Sequence, residues 1–331
     1  VVKVLDFIRI NNHGGISLFK ELIIDGHEDF MPRVVTHIHS DHTVSIKKSL
    51  QNSPLIIGTP LTMEWLKLMG FRVPNNSSVP LDYGSSIRLD SGRLTLERAV
   101  HIPGTAQVVF DLDDGRRIVY TSDFKKPASG TPVINADVLI IDAVYGSPDY
   151  VREFDEYIDM ILADLVRELL SSGPVYLYGY YGKIQEVMDV LRREGIDAPF
   201  VLPHKQYVLA KAAEGHGLNF GDYVHANSAE AHDIMRDGWF VYLTHITNRR
   251  YNGLGNHVVL SGWEFSRPYK KIGKNKWLVA FSDHADFRGL VEYVENSSPD
   301  MVVVNRPRST YSELFAEFIK EKLGIKVFIG P

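Results

Sequence analysis

Thr36-His37-Ile38-His39-Ser40-Asp41-His42 packs four potential metal ligands into six consecutive residues. On an extended stretch side chains alternate, so His37 and His39 face one way and can grip one ion at ~2.0–2.1 Å. Once the chain turns, Asp41 and His42 face a second position about 3.5–4 Å away. The chain has no cysteine, which excludes thiolate ligands, disulfides and cysteine nucleophiles, and leaves nitrogen and oxygen donors suited to zinc or a similar transition metal. A closed structural site needs four ligands, whereas a hydrolytic one needs an open position and further partners. His101, in Ala99-Val100-His101-Ile102-Pro103, is the candidate third imidazole of the first position. Asp123, in Tyr120-Thr121-Ser122-Asp123, is the candidate carboxylate bridging the two. Asp142 and His284 complete the set as acid–base candidates: His284 as proton donor to a leaving oxygen, Asp142 as the carboxylate that orients it. Asp41 counts both as ligand and as catalytic candidate. Asp142 has a second reading, as a hydrogen-bond partner only.

The elements that must position these residues are short apolar runs read as buried strands: 33–35, 117–120, 137–141, 174–178, 277–281 and 301–304. His37, Asp123, Asp142 and His284 each lie at or just past the end of such a run, where strands of a sheet converge on a crevice. Between them run helical patterns. Residues 151–170 carry apolar side chains on one face. Residues 309–323 form another helix, with Thr310 and Glu313 spaced as a capping box. Asp286 precedes a helical run from Phe287 to Val294 and reads as its N-cap. Strands alternating with helices point to an α/β layered fold. Residues 196–275 show weaker periodicity.

At 331 residues, 44% hydrophobic and 23% charged, the chain is long enough for one large or two medium domains. It has no apolar run of 18 residues, and its opening, VVKVLDFIRINN, is strand-like rather than signal-like. The expectation is therefore a cytoplasmic enzyme with no membrane partner.

THIHSDH, then HIPGT at 101–105, then YTSDF at 120–124, in that order, resembles the metallo-β-lactamase superfamily. Asp25, in Leu22-Ile23-Ile24-Asp25, matches the family's first motif. The resemblance implies that it props the ligand loop; a plain turn residue is the competing reading. DVLIIDAVYG at 137–146 and AFSDHADF at 280–287 resemble the β-CASP branch, whose members are nucleases acting on DNA or RNA. Ser261-Gly262-Trp263-Glu264 resembles a stretch of the exonucleases associated with DNA ligases. The implied fold is a four-layer αββα sandwich with an inserted α/β β-CASP domain: core 1–150, insert 151–275 and core return 276–331. The implied cofactor is one tightly held Zn2+, with a second, weaker position for Zn2+, Mn2+ or Mg2+. The resemblance also bears on substrate. Asp142 stands where RNA-processing members tend to have Glu, and Val304-Asn305 lacks the metal-binding His of the RNA branch. Both departures favour DNA over RNA.

The net charge of −5 argues mildly against a polyanion substrate. Locally the balance reverses: between His245 and Lys276 lie Arg249, Arg250, Arg267, Lys270, Lys271, Lys274 and Lys276, against a single acid, Glu264. With Arg306 and Arg308 beyond the last core strand, these could follow a phosphate backbone while Tyr251, Trp263, Phe265 and Tyr269 stack on bases. A solvated loop face is the alternative. Gly179-Tyr180-Tyr181-Gly182-Lys183 resembles the Gly-Lys turn of the DNA-repair members, which makes Lys183 a candidate for a terminal 5′-phosphate. His13, His27, His204, His216, His225, His232 and His257 show no ligand spacing. The expected function is a zinc-dependent nuclease, a 5′-to-3′ DNA exonuclease with a repair role. The alternatives are an RNA nuclease of the same branch, a non-catalytic nucleic-acid-binding scaffold and a small-molecule hydrolase. No protein partner is implied.

Overall fold

The structure, a computed structural model, describes residues 4–249 and 254–331. Arg250 and Tyr251 lie outside the described residues. Two compact units emerge, Val1–Val151 with His284–Pro331, and Arg152–Asp283. Among the described residues no helix is long and apolar enough to cross a membrane.

The first unit holds two sheets. In one, β1 (Ile8–Ile10), β2 (Ile16–Leu18), β3 (Leu22–Ile24), β4 (Arg33–Val34), β5 (Ile56–Gly58) and β6 (Ser78–Pro80) lie side by side in chain order. They are antiparallel as far as β3 and parallel from β3 to β6. Helices α1 (Ile46–Asn52) and α2 (Pro60–Leu68) follow β4 and β5. The other sheet begins as an antiparallel meander of β7 (Ser86–Arg88), β8 (Gly92–Arg98), β9 (Ala106–Leu112) and β10 (Arg117–Tyr120). It continues in parallel through β11 (Val138–Ile141), β19 (Met301–Val304) and β20 (Lys326–Ile329). Strand β8 alternates, with Leu94 and Leu96 buried and Arg93 exposed between Gly92 and Leu94, as expected of a strand with one face on a core. Strand β11, flanked by parallel neighbours, is buried along its whole length. One core joins the two sheets: Ile16, Ile24, Val34 and Ile57 from the first pack with Leu96, Val108, Phe110, Ile118, Ile140 and Val303 from the second.

Helices α7 (Phe287–Ser297) and α8 (Ser312–Leu323) belong to the return segment. Asp286 caps α7, its carboxylate accepting from Gly289 N at 3.0 Å. The capping box expected on α8 does not form. The helix starts at Ser312, after Tyr311 at φ 59°, and has no side-chain cap. The Thr310 backbone is committed elsewhere, its N–H donating to Ala143 O and its carbonyl accepting from Gly146 N, and Glu313 pairs with Arg306.

The second unit carries a sheet in the order β14 (Tyr223–His225), β13 (Phe200–Leu202), β15 (Val241–His245), β12 (Val175–Gly179), β16 (Asn256–Leu260), β18 (Lys276–Val279), β17 (Tyr269–Gly273). All are parallel except β17, which runs antiparallel at the edge with every residue exposed. Because β18 hydrogen-bonds to β16, residues 276–283 belong to this unit, and the return to the first begins at His284 rather than at 276. Its helices are α3 (Ile158–Leu170), α4 (Lys183–Arg193), α5 (His204–Gly215) and α6 (Ala229–Asp237). Helix α3 starts later than its apolar pattern suggests. Arg152 is drawn off the helix path, donating to Gly262 O and lying 4.4 Å over the Phe265 ring.

Candidate metal centre

Thr36 pins the two sheets of the first unit together at their strand ends. Its carbonyl accepts from Ala106 N at 3.1 Å at the start of β9. Its hydroxyl accepts from Ser122 Oγ at 2.8 Å, beyond β10. That hydroxyl and the Thr36 N–H both donate to the Asp25 carboxylate, at 2.6 and 2.8 Å. Asp25 and Ser122 sit at φ 49° and 54°, the left-handed turns that end strands and aim these side chains inward. The Ala285 N–H donates to Phe124 O at 2.6 Å, which ties the His284 segment beside Asp123.

His37, His39, His101 and Asp123 offer ligand atoms that all lie within 4.8 Å of one another. Asp123 Oδ2 is 3.5 Å from His37 Nε2 and 3.6 Å from His101 Nε2, and His101 Nε2 is 3.0 Å from His39 Nδ1. Tetrahedral bonds of ~2.1 Å would set ligand atoms ~3.4 Å apart, so the spacing fits one zinc-sized ion. The buried Nε2 atoms of His37 and His42 make no hydrogen bond, although buried polar atoms ordinarily find partners. Asp123 also takes part in a second group with Asp41 and His42, the same carboxylate oxygen, Oδ2, lying 3.2 Å from His42 Nε2, which is 3.4 Å from Asp41 Oδ2.

The protonation states suit ligation. Burial, reinforced by the neighbouring imidazoles of His42, His101 and His39, holds His37 well below the ordinary histidine value and so neutral. Burial acts against ionisation of Asp123, but the facing histidines outweigh it and keep the carboxylate well below its usual range. Asp41 is held low in the same way, with His42 outweighing burial. Asp25 lies under the cluster rather than in it. Its Oδ2 is 2.7 Å from His42 Nδ1, which leaves His42 Nε2 to face Asp123.

Asp142 and His284 do not pair. Asp142 is buried, with Oδ2 accepting from Tyr120 Oη at 2.5 Å and lying 3.8 Å from the Arg308 guanidinium. Burial, only partly offset by Arg308, lifts its carboxyl to about 7. His284 stands beside Asp123 instead, Nδ1 to Oδ1 3.7 Å, with its ring 4.9 Å from that of His101. Asn305 is buried and donates to Gly14 O at 3.1 Å.

Several candidates for phosphate contact are reassigned. Lys183 is buried in the second unit, 3.0 Å from Asp283. Arg308 has a side chain only 3% exposed. Arg306 is exposed and pairs with Glu313. Arg249 and Arg267 are exposed, as are Trp263 and Tyr269. Lys270 is engaged by buried Glu264, and Lys271 lies 5.3 Å over the Trp277 ring. Pattern reading missed Tyr120 and Arg33, and took Arg308 for a phosphate contact. Arg33 is fully buried and donates to His42 O at 2.9 Å and Val44 O at 3.0 Å, bracing the ligand loop from behind. Its one signal in the sequence is a charge opening an otherwise apolar run.

No protein-family model matches the chain. It is 42% identical over 138 residues to a protein of Acidianus ambivalens described as uncharacterised, in the lig 3′ region; the match covers 42% of this chain and 99% of that protein. It is 26% identical over 314 residues to a probable DNA ligase of Opitutus terrae, 90% of this chain and 29% of the ligase. With the DNA cross-link repair protein SNM1 of Arabidopsis thaliana it shares 22% over 316 residues, 81% and 59%. With the RNase aCSPSF2 of Saccharolobus solfataricus it shares 26% over 194 residues, 50% and 39%. It thus spans less than two thirds of each of these last three. A crystal structure of a protein of unknown function from Enterococcus faecalis V583 shares the fold at TM-score 0.64 and 13% identity, covering 92% of this chain and 81% of that one. With its ordered set of histidines and aspartates around one shared carboxylate, the chain belongs to the metallo-β-lactamase superfamily, in its β-CASP nuclease branch.

Proposed function

We propose that the chain is a zinc-dependent nuclease that hydrolyses phosphodiester bonds, acting on DNA as a 5′-to-3′ exonuclease in repair. The observation that carries the reading is the four-residue group His37, His39, His101 and Asp123, whose spacing suits one ion and whose shared carboxylate also faces His42 and Asp41. An ion held there would acidify water and neutralise charge on the phosphoryl oxygens. The protein's own groups do the rest. Asp25 and Thr36 fix the ring of His42. Burial keeps His37 neutral. His284, its side chain 22% exposed, is placed to give a proton to the leaving oxygen. Asp142 serves as the hydrogen-bond partner of Tyr120 and not as a partner of His284.

The DNA preference draws on Asp142 and on Asn305, which donates to backbone where the RNA branch has a ligand histidine. The relatives named for DNA cross-link repair and DNA ligation support it. The relative named as an RNase favours the second reading, an RNA nuclease. We read the two sheets with α1, α2, α7 and α8 as the four-layer core, the unit Arg152–Asp283 as the inserted domain, and the cytoplasm as the compartment. The test is cleavage of 5′-labelled single-stranded DNA and RNA with and without chelator, with the metal identified by elemental analysis. Chelator-sensitive release of 5′ nucleotides from DNA is expected. Cleavage of RNA alone would select the second reading, and cleavage of neither would favour a binding scaffold.

A further inference from the structure

We propose that Arg308 is the positioning residue of this centre, a buried clip that holds the ligand loop in place by hydrogen bonds from the end of β19. The inference rests on the hydrolytic reading above and deepens it. A guanidinium with only 3% of its side chain exposed is costly to bury unless its donors are used. One arm donates to Tyr120 Oη at 2.8 Å, and Tyr120 in turn donates to Asp142. The other donates to Asp25 O at 2.8 Å and Asp41 O at 3.0 Å, with His13 O at 3.5 Å. The same group lies 3.6 Å from the Asp25 carboxylate and 3.8 Å from that of Asp142. A planar fork thereby joins the turn after β3, the Asp41–His42 corner and the end of β10, which a single-point ammonium cannot do.

The surroundings are shaped for this side chain. Gly14 lies flat against its stem at φ +78°, and a Cβ there would come within 2.7 Å of Arg308 Cγ and Nε. Asn305 donates to Gly14 O at 3.1 Å, and its own carbonyl accepts from Arg308 N at 3.1 Å. Asn305 therefore secures the bed on which the arginine rests. The guanidinium ties the Asp41 corner directly, and its charge also offsets the carboxylates of Asp25 and Asp142. The Asp41–His42 corner is thus held by hydrogen bonds within the protein.

The experiment compares Arg308→Ala and Arg308→Lys with the zinc-loaded wild type. It follows zinc per chain, kcat and KM on the better-cleaved oligonucleotide, and amide hydrogen exchange across residues 39–44, each with and without millimolar guanidinium or urea. Arg308→Ala is expected to keep its tight zinc, lose about 10²-fold in kcat with KM nearly unchanged, and exchange faster at 39–44. Guanidinium should restore part of both effects, and neutral urea neither. Arg308→Lys keeps the charge without the fork and should lose about tenfold in kcat. Unchanged kcat in either variant overturns the proposal. So does parallel loss of zinc and kcat without guanidinium rescue, the mark of a residue that only supports the fold. Should Arg308→Ala not fold, wild-type exchange and turnover in Arg308→Lys would overturn it. Should the wild type cleave neither DNA nor RNA, the nuclease reading fails separately, and the exchange and zinc measurements still decide the clip.

Discussion

His37 and His42 sit ring against ring, 4.0 Å apart, yet the protein drives their protonation in opposite directions. Burial and neighbouring imidazoles keep His37 neutral and ready to ligate. For His42, burial and Arg308 act against protonation, but Asp123 and Asp25 outweigh them and raise its value well above the ordinary one. An ion entering the Asp41–His42–Asp123 group must therefore displace a proton, so its affinity should climb steeply with pH across neutrality, by roughly tenfold per unit. Titrating a second equivalent of metal at several pH values checks this, and a pH-independent affinity would contradict the assignment. At the first position, His39→Ala and Asp123→Asn should lose zinc and activity together. His284→Ala should retain that zinc and lose most turnover, by about 10²–10⁴-fold; loss of zinc in that variant would mean His284 is a ligand. Asp142 gives a stability prediction. Its folded value of about 7 lies above the unfolded value of ~3.9. The stabilisation it gives is therefore complete below the unfolded value and disappears as pH rises through about 7. In metal-free protein, the Tm of Asp142→Asn relative to wild type should rise between pH 5 and pH 8, and a constant difference would show that Asp142 does not carry that proton.

At the scale of elements, the site depends on strands buried deeply enough to have no freedom at their ends. Strand β11 runs between β10 and β19, and Ile140 at its centre is fully buried in the core that joins both sheets. Ile140→Ala should cost about 2–5 kcal/mol in urea unfolding of metal-free protein. The turn at 179–183 before α4 suggested a phosphate site, but Lys183 is buried within the unit and pairs with Asp283. Lys183→Met removes the ammonium 3.0 Å from that carboxylate in a buried setting, and a loss of about 3–5 kcal/mol is expected. Near-neutral stability with weakened DNA binding would instead restore the phosphate role. Helix α8 and the start of α3 teach the same lesson from the other side. Their apolar faces were readable, but their first turns were decided by distant partners, Ala143 and Gly146 for the backbone before α8 and Gly262 with Phe265 for Arg152 before α3.

Across the whole molecule, the charge of −5 is unevenly distributed, and the edge hairpin β17–β18 is its basic counterpoint. Lys271 and Lys274 are exposed there, and Lys274 lies in its turn. If this hairpin follows a single strand, Lys271→Glu with Lys274→Glu should lower the steepness of log K against log salt by ~0.7 for each phosphate contact removed, without altering zinc content. An unchanged salt slope in fluorescence anisotropy would mean that the hairpin is a solvated face.

The cluster of His37, His39, His101 and Asp123 was readable from the order and spacing of its motifs, because two histidines one residue apart beside an Asp-His pair have few other uses, and Asp123 followed a strand-like run. The burial of β10, β11 and β19 was readable for the same reason, since a short apolar run bounded by polar residues has nowhere else to go. What the sequence could not express was partnership between residues far apart along it. Arg308 lies in Arg306-Pro307-Arg308, which reads as a charged surface turn. Only folding brings it against Gly14, Asp25, Asp41 and Tyr120, hundreds of residues away in the chain, while Arg306 two positions earlier stays in solvent. His284 was rightly placed near the cluster but wrongly paired, because its neighbour is set by the hydrogen bond between Ala285 and Phe124 and not by any spacing in the sequence. Local pattern thus specifies which side chains can bind an ion, and tertiary hydrogen bonding specifies which of the remaining charges face it, because burial and pairing energies depend on contacts that no stretch of sequence contains by itself.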